Sequence, residues 1–410
     1  MGMDRHDSDT SHAPGDIFLT FLALGLTSFG GPVAHLGYFR TAFVERRKWL
    51  SDAAYADLVA LCQFLPGPAS SQVGFALGLM RGGWPGALAA WAGFTLPSAM
   101  ILVLFAWGAA ALSDPFSIGV IAGLKVLAVA VVADAVYGMG RSLCPDRKTL
   151  AIALLSLAAL GAASGTAIQV LVILAGAVLG LVMALGAPAG EDVHGAFDVA
   201  RLPDRRVGLS LVALAFVILV LVPLALQVGL GGQGLALFDA FYRAGALVFG
   251  GGHVVLPLLQ DSVVGPGWTD PDTFLTGYGA AQAVPGPLFT FAAYLGSVLD
   301  PAPNGLAGAT IALVAIFLPG ALLVAGMLPW WDSLRSVPRA RAALAGVNAA
   351  VVGILAAALY DPVFTSGVRD GADFALAATG FFALRVWKVP VWVVVICMAV
   401  IGGAMGISGL

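Results

Sequence analysis

The chain alternates between long apolar stretches and short polar connections, an arrangement typical of a protein that crosses a membrane many times. A helix needs about 20 apolar residues to cross the hydrocarbon core of a bilayer. Seven stretches meet this requirement: 85–111, 116–140, 165–187, 207–230, 306–330, 342–360 and 389–408. Two shorter stretches, 149–163 and 371–386, are predicted to cross as tilted or locally thinned spans. The longest polar stretch, 188–206, divides the chain into two halves.

Four further apolar regions are interrupted near their middle by glycine and proline. They are 17–44, 53–80, 237–263 and 273–299. Each arm has about 13 residues, or roughly 20 Å of helix, which is too short to cross a bilayer. Proline removes a backbone donor and clashes with the preceding turn, so one helix ends and another begins at each interruption. We therefore predict helical hairpins that enter the membrane and return to the same side; the alternative is that the interrupted regions cross the membrane fully.

The two halves repeat each other in sequence. Seven matches in the same order, at shifts of 219 to 223 residues, indicate an internal duplication. The matched pairs are Phe29-Gly30-Gly31-Pro32 with Phe249-Gly250-Gly251-Gly252, Trp49 with Trp268, Gln63 with Gln282, Pro66-Gly67-Pro68 with Pro285-Gly286-Pro287, Pro97 with Pro319, Gly123 with Gly346, and Tyr137 with Tyr360. We predict an N-terminal repeat (1–187), a cytoplasmic loop and linker helix (188–231) and a C-terminal repeat (232–410).

Composition agrees with a membrane protein. Of the 410 residues, 60 % are hydrophobic and only 10 % are charged, whereas a soluble domain has about 25 % charged residues. This excludes a soluble enzyme and a disordered protein, and a net charge of −3 leaves no basic surface for nucleic acid. The three cysteines and five histidines form no recognisable ligand motif, so we expect no metal and no cofactor.

The positive-inside rule predicts the orientation. With the N-terminus in the cytoplasm, the interrupted regions returning to their own side and the nine other segments crossing, 17 of the 20 Lys and Arg residues are cytoplasmic. We therefore predict an inner-membrane protein with a cytoplasmic N-terminus and a periplasmic C-terminus. The predicted fold class is an all-α polytopic membrane protein with two inverted-topology repeats and broken, re-entrant helical hairpins, an architecture found in many secondary transporters.

The interruptions are the candidate substrate site. A helix that begins inside the membrane presents unpaired N–H groups and a partial positive charge, which suit an anion. At Pro66-Gly67-Pro68 and Pro285-Gly286-Pro287, the second proline is predicted to be the first helical residue, and the glycine to let a ligand approach. The alternative is that each run only kinks a packed helix. The other candidate residues at the interruptions are Gly30, Gly31, Gln63, Ser71, Gly250, Gly251, Gln282 and Thr290.

Four charged or ionisable residues are further candidates. Lys125 lies within a predicted span, where a charge is costly, and it either binds the anion together with its repeat counterpart Asn348 or forms a local salt bridge. Arg243 follows an acidic residue by four positions, so a function in coupling competes with a simple i,i+4 ion pair. His35 and His253 follow the Phe-Gly-Gly units and could carry a coupled proton, with polar packing as the alternative.

These motifs resemble those of the chromate ion transporter family in its long, two-domain form. The resemblance covers nearly the whole chain, and it adds Gln72 to the candidate substrate-binding residues. It implies export of chromate from the cytoplasm, driven by the membrane potential or the proton gradient, and chromate resistance. One departure is Gly252, which stands where the first half has Pro32, so the helix start there is less sharply set. The motifs are Phe29-Gly30-Gly31-Pro32, the run Gln63 to Pro68 with Gln72, Gly74 and Gly78, the Gly82-Gly83 turn, and their second-half counterparts.

Other functions stay open at this point. Chromate is a tetrahedral divalent oxyanion much like sulfate, so the main alternative is a transporter or channel for sulfate or another oxyanion. The sequence lacks the HExxH and GxSxG motifs of common hydrolases, which argues against a membrane enzyme. The expected partners are the oxyanion and the lipid bilayer. The sequence leaves open the coupling ion, the direction of transport and the oligomeric state, a homodimer included.

Overall fold

The computed structural model describes residues 13–109, 114–163, 165–185, 202–249, 251–334 and 337–408. Helices make up nearly all of these ranges, and no strand occurs within them. This confirms the predicted all-α class. The predicted boundary between residues 187 and 188, and most of the polar loop that follows it, lie outside the described residues.

The first half begins with a short helix and contains one helix that turns back on itself. α4 departs from helical geometry at Gly83, whose φ of 61° favours glycine, and Pro85 follows at the start of the second arm. The two arms pack together, because a Cβ on Gly78 would lie 2.7 Å from the Cβ of Ala90. The helices of this half are α1 (Pro14–Thr27), α2 (Gly31–Arg40), α3 (Asp52–Phe64), α4 (Ala69–Ala109), α5 (Pro115–Leu143), α6 (Arg147–Ala162) and α7 (Thr166–Val182).

The second half follows the predicted linker helix, which is α8 (Arg205–Gln227). Two short 3₁₀ turns occur in this half. Gly252–Val254 precedes helix α10 (Val255–Val263), and Leu288–Thr290 precedes helix α12 (Phe291–Val298). The remaining helices are α9 (Gln233–Ala246), α10 (Val255–Val263), α11 (Pro271–Ala283), α12 (Phe291–Val298), α13 (Gly305–Met327), α14 (Trp331–Leu334), α15 (Pro338–Ala358), α16 (Thr365–Gly367), α17 (Gly371–Arg385) and α18 (Val391–Ser408).

Five helices in the described ranges are long and apolar enough to cross a membrane, and each overlaps a predicted span. They are Ala69–Ala109, Pro115–Leu143, Arg205–Gln227, Gly305–Trp330 and Pro338–Gly367. This confirms a polytopic membrane protein. The predicted span 165–187 is shorter than expected, because α7 ends at Val182 and Ala184 adopts a left-handed conformation (φ 47°).

The last two helices of each half pack against the other half. α5 of the first half packs against α17 and α18 of the second, and α15 of the second half packs against α6 and α7 of the first. Two equivalent glycine pairs allow this close approach. A Cβ on Gly402 would lie 2.8 Å from the Cα of Gly123, and a Cβ on Gly346 would lie 2.8 Å from the Cα of Gly180. The predicted duplication would produce this reciprocal packing, in which the last two helices of each half contact the other half. The inverted repeat itself stays a prediction.

Candidate functional site

Two hydrogen bonds join the interruptions of one half to those of the other. The N–H of Gly67 donates to the carbonyl of Val248 at 2.8 Å, and the N–H of Gly286 donates to the carbonyl of Ser28 at 2.9 Å. Ser28 and Val248 directly precede the two Phe-Gly-Gly units. Each Pro-Gly-Pro run is therefore attached to the Phe-Gly-Gly unit of the opposite half, and the four interruptions form two equivalent junctions.

The glycine in each Pro-Gly-Pro run is required by conformation and by packing. Gly67 has a φ of 123° and Gly286 a φ of 102°, a region that side chains disfavour. A Cβ on Gly67 would lie 3.2 Å from the Cα of Gly320, and one on Gly286 would lie 2.8 Å from Oγ of Ser98. Protein atoms thus occupy the space that we expected a ligand to use beside Gly67, whereas Gly286 also lines a cavity.

The start of α2 has no side-chain cap, a feature that it shares with α7, α9, α13 and α15, whereas several other helices are capped. The carboxylates of Asp114, Asp146 and Asp270 accept backbone hydrogen bonds at the starts of α5, α6 and α11. By contrast, no side chain caps α2, whose N-cap is Gly30 in a left-handed conformation (φ 99°). The first N–H groups of α2 consequently keep their partial positive charge available.

The second half begins its equivalent segment differently. Where α2 starts directly at Gly31, the chain after Gly251 first makes the 3₁₀ turn Gly252–Val254 and only then enters α10. This agrees with the absence of proline at Gly252. The neighbouring residue Gly250 lies outside the described residues. Pro68 and Pro287 also differ from expectation by one position, since each is the N-cap residue and the helical turns start at Ala69 and Leu288.

A cavity of about 110 Å³ lies where the two halves meet. Of the predicted site residues, Gly30, Gly31, His253, Gln282 and Gly286 line it. One water molecule needs a cavity volume of roughly 10–15 Å³. The cavity is several times larger than this, so it has room for a small anion. Larger cavities exist, one of about 560 Å³ among them, but the residues described around that one include none of the predicted site residues.

Two side chains of the second half offer donors in this cavity. The Nε2 group of Gln282 is buried and has no hydrogen-bond partner among the described residues. Nδ1 of His253 lies 2.7 Å from the hydroxyl of Tyr278. When Tyr278 donates to Nδ1, Nε2 carries the hydrogen of the neutral ring and is the donor that remains. The start of α2 and these two side chains can together donate to an oxyanion without a full positive charge.

The polar neighbours of the Pro-Gly-Pro runs are not equivalent in the two halves. Gln63 is exposed, whereas its counterpart Gln282 lines the cavity. The hydroxyl of Ser71 is buried without a hydrogen-bond partner in the described part of the chain, whereas that of Thr290 donates to the carbonyl of Pro287 at 2.8 Å.

Gln72 fixes the first Pro-Gly-Pro run to the second half. Its Nε2 donates to the carbonyl of Pro66 at 2.9 Å and to the carbonyl of Gly320 in α13 at 3.2 Å. In this conformation, Gln72 therefore connects the first Pro-Gly-Pro run to α13 through hydrogen bonds. Its Oε1 is buried and finds no hydrogen-bond partner within the described ranges.

His35 lies at a junction between the halves. Its Nε2 is 3.2 Å from the carbonyl of Ser28, the same carbonyl that accepts from Gly286. A carbonyl only accepts, so Nε2 carries the hydrogen and Nδ1 accepts from the hydroxyl of Ser70 at 3.4 Å. This is the polar packing given above as the alternative to proton coupling.

The remaining candidates lie away from the cavity lining. Nη2 of Arg243 pairs with Oδ2 of Asp239 at 2.6 Å, which is the i,i+4 ion pair of the simpler alternative. Oδ1 of Asn348 is buried and unpartnered in the residues that the structure describes. Nζ of Lys125 lies 2.8 Å from Oδ1 of Asp272, at the start of α11. The salt bridge predicted as one alternative for Lys125 is therefore present.

Exchanging the charges of Lys125 and Asp272 separates the two alternatives for Lys125. We expect the variant Lys125→Asp/Asp272→Lys to transport with the KM of the wild type, because the exposed carboxylate of Asp272 is the partner seen in the structure. A pair with an exposed partner contributes about 1 kcal/mol or less, so we expect Lys125→Ala to lose little stability. Transport assays in reconstituted vesicles measure KM. A raised KM in the exchanged variant would instead assign Lys125 to the anion.

The sequence interpretation missed Asp134 as a cavity residue. Asp134 lies on α5 and lines the cavity beside Gly30 and Gly31. Arg385, the last residue of α17, places Nη1 3.6 Å from Oδ1 of Asp134. The sequence could have indicated Asp134, because it lies within the predicted span 116–140 and an ionisable residue within a span is a functional candidate by default. Nothing in the sequence placed Arg385, which lies 251 positions away, beside it.

Comparison with known proteins identifies the family. The sequence profile described as chromate transporter matches residues 15–181 and 235–404. The chain belongs to the chromate transporter family. One matched stretch lies in each half, and α8 lies between them. The predicted site residues that line the cavity all fall within the stretches matched by the chromate transporter profile.

Individual chromate transport proteins are similar to this chain over most of its length. One from Pseudomonas aeruginosa is 30 % identical over 403 residues, which cover 93 % of this chain and 90 % of the relative. A probable chromate transport protein from Synechococcus elongatus is 30 % identical over 371 residues, covering 90 % and 88 %. A chromate transport protein from Cupriavidus metallidurans is 27 % identical over 345 residues, covering 84 % and 81 %. No solved structure matches the chain.

Proposed function

We propose that this chain exports chromate from the cytoplasm across the inner membrane and thereby confers chromate resistance. Membership of the chromate transporter family supports the substrate. The observation that carries the proposal is the cavity between the halves, where the uncapped start of α2 meets Gln282 and Gly286. These donors suit a tetrahedral dianion, because a helix start stabilises negative charge by about 0.3–1 kcal/mol, and by about 2 in buried geometries.

The two-sided lining of the cavity supports a transporter that alternates between two openings. Gly30 and Gly31 come from the first half, whereas His253, Gln282 and Gly286 come from the second. A movement of one half against the other would therefore change both the donors and the access to the cavity, as in transporters built from inverted repeats. The two junction hydrogen bonds, at Gly67 and Gly286, are the contacts that such a movement would have to keep or exchange.

Purified protein in liposomes tests the proposal. We expect the wild type to accumulate chromate under an imposed membrane potential or pH gradient, and protein-free liposomes not to. Sulfate as a competitor tests the alternative substrate. Inhibition by sulfate at equal concentration, together with faster uptake of sulfate than of chromate, would favour a sulfate transporter. Uptake that continues at the same rate without either gradient, and that does not saturate, would favour a channel.

The proposed orientation has a direct test by cysteine labelling. The proposal places the N-terminus in the cytoplasm and the C-terminus in the periplasm, with most Lys and Arg residues inside. In a variant without native cysteines, we expect Gly265→Cys to react with an impermeant thiol reagent and Val337→Cys to react only with a permeant one. Both positions are exposed, so failure to react would not reflect burial. Position 190, outside the described residues, should behave like position 337. Reaction of position 265 only with the permeant reagent would contradict the orientation.

A further inference from the structure

An ion pair at the edge of the cavity has no function in the arrangement described so far. Asp134 lines the cavity, and its Oδ1 is buried with no hydrogen bond among the described residues. Arg385 lies 3.6 Å from this oxygen, longer than a hydrogen bond, so the pair is loose. A charge at membrane depth is costly, and such residues commonly mark an ion pathway.

A carboxylate in a cavity for a dianion is a contradiction that needs an explanation. Asp134 would repel an oxyanion bound at the start of α2, beside Gly30 and Gly31. The repulsion is acceptable only if the carboxylate serves the empty protein. There it balances the guanidinium of Arg385, which would otherwise lie unpaired beside an apolar wall formed in part by Val131, Leu384 and Val391.

Arg385 has the freedom and the geometry to leave Asp134. Its side chain is 36 % exposed and extends from the last residue of α17. The guanidinium also lies 4.4 Å from the ring centroid of Tyr137, on the same helix as Asp134. A planar guanidinium stacked on an aromatic face keeps its donors free at the edge, where they match two oxygens of a tetrahedral anion.

A second arginine continues the series outward. Nη1 of Arg141 donates to the hydroxyl of Tyr137 at 3.5 Å, and Arg141 is exposed. Asp134, Tyr137 and Arg141 are spaced i, i+3 and i+7, so they share one face of α5. Two guanidinium groups separated by an aromatic ring therefore lead from the surface to the cavity.

The ion pair joins the two halves, and it occurs at only one of the two repeat-related positions. Under the predicted repeat, Asp134 corresponds to Ala357 at a shift of 223, and Arg385 corresponds to Ala163 at a shift of 222. Both alanines line the cavity of about 560 Å³, whose described lining includes Asp261 and Asp361 but no arginine. The two repeat-related positions therefore differ, and a basic path that leads to only one of the two cavities suits a transporter that loads its anion from one side of the membrane.

We propose that Arg385 is a gating ligand for the tetrahedral oxyanion and that Asp134 is its internal counter-ion. In the empty protein, Asp134 holds the guanidinium at the cavity edge. When the dianion enters, the guanidinium of Arg385 leaves Asp134 and binds the anion. When the anion leaves, the guanidinium pairs with Asp134 again. This inference rests on the proposed function, because it requires an oxyanion in the cavity.

Kinetic constants of three variants test the exchange. The assay is chromate transport by the full chain in liposomes, normalised to inserted protein. We expect Arg385→Ala to raise KM about tenfold or more, since it removes a charge-assisted hydrogen bond to the anion, and Arg385→Lys to recover part of the affinity. We expect Asp134→Asn to lower both KM and kcat, because the competing anion is gone and release becomes slower. Opposite changes in KM from the two partners of one pair are not expected from a structural salt bridge.

A neighbouring ion pair provides the matched control. Arg369, which lies two residues before α17, pairs with Asp373 of α17 at 2.9 Å, and neither lines the cavity of about 110 Å³. We expect Arg369→Ala to leave KM unchanged. If the Arg385→Ala protein does not insert into the membrane, the KM values of Arg385→Lys and Asp134→Asn test the same exchange.

The outcomes separate the inference from the proposed function. Wild-type transport of chromate with an unchanged KM in the Arg385 variants would overturn the inference alone. An increase in KM for Asp134→Asn equal to that for Arg385→Ala would overturn it as well, in favour of a structural pair. Absence of chromate transport by the wild type would overturn the proposed function and the inference together.

Discussion

Replacement of Gly286 by alanine is expected to abolish chromate transport, and replacement of Gly67 to do the same. Their positive φ values make a side chain cost about 1–3 kcal/mol in backbone strain. The added Cβ of Gly286→Ala would lie 2.8 Å from Oγ of Ser98, too close for either group to stay in place. Any shift of the backbone also weakens the bond from Gly286 to the carbonyl of Ser28, roughly 1 kcal/mol more. Transport rate per inserted protein and the thermal unfolding midpoint measure both effects.

Gly37→Ala is the matched control for these two variants. No atom lies within 4 Å of the position where its Cβ would stand, and the residue lies within α2. We expect wild-type transport and an equal or slightly higher unfolding midpoint, since alanine favours a helix over glycine. The double variant Gly286→Ala/Ser98→Ala should recover only part of the stability, because the strain in φ remains. Wild-type transport in Gly286→Ala would contradict the structural requirement for glycine at the junction.

Local chemistry explains why much of the helical organisation could be predicted from the sequence. Runs of apolar residues near the length of a span, and glycine or proline between shorter runs, are signals that a few consecutive residues carry. The end of α3 at Phe64 and the start of α4 at Ala69 lie around Pro66-Gly67-Pro68 for this reason. The end of α7 at Val182 was not predicted, because the residues that follow are apolar and only their backbone conformation ends the helix.

Tertiary contacts explain why the candidate site was predicted only in part. The repeat makes Gln63 and Gln282 equivalent in sequence, yet one is exposed and the other lines the cavity. Ser71 and Thr290 are both buried, yet only the hydroxyl of Thr290 has a hydrogen-bond partner among the described residues. The carbonyls of Ser28 and Val248, which accept from the glycines of the opposite half, have no side-chain signature at all. Residues that a long-range contact brings together, such as Asp134 and Arg385, cannot be paired from local sequence alone.

The difference between Gln63 and Gln282 gives the sharpest test of where the oxyanion binds. Gln282→Glu keeps the size of the side chain and adds a negative charge to the cavity lining. A unit charge near 4 Å at an effective dielectric of 20 repels another by about 4 kcal/mol, or roughly a thousandfold in affinity, and a dianion is repelled more. We therefore expect Gln282→Glu to abolish transport at alkaline pH, where the introduced carboxyl is ionised.

Two further variants make this test specific to the cavity. Gln282→Leu removes one hydrogen bond without adding charge, so it should cost roughly 0.5–1.5 kcal/mol, or up to about tenfold in affinity. Gln63→Glu places the same charge at the repeat-equivalent position, which is exposed, and it should leave affinity near that of the wild type. Direct binding of chromate to the purified protein measures affinity in all three variants. An equal loss of affinity in Gln63→Glu and Gln282→Glu would favour a binding site formed equivalently by the two halves. Wild-type affinity in Gln282→Glu would show that the oxyanion does not bind in this cavity.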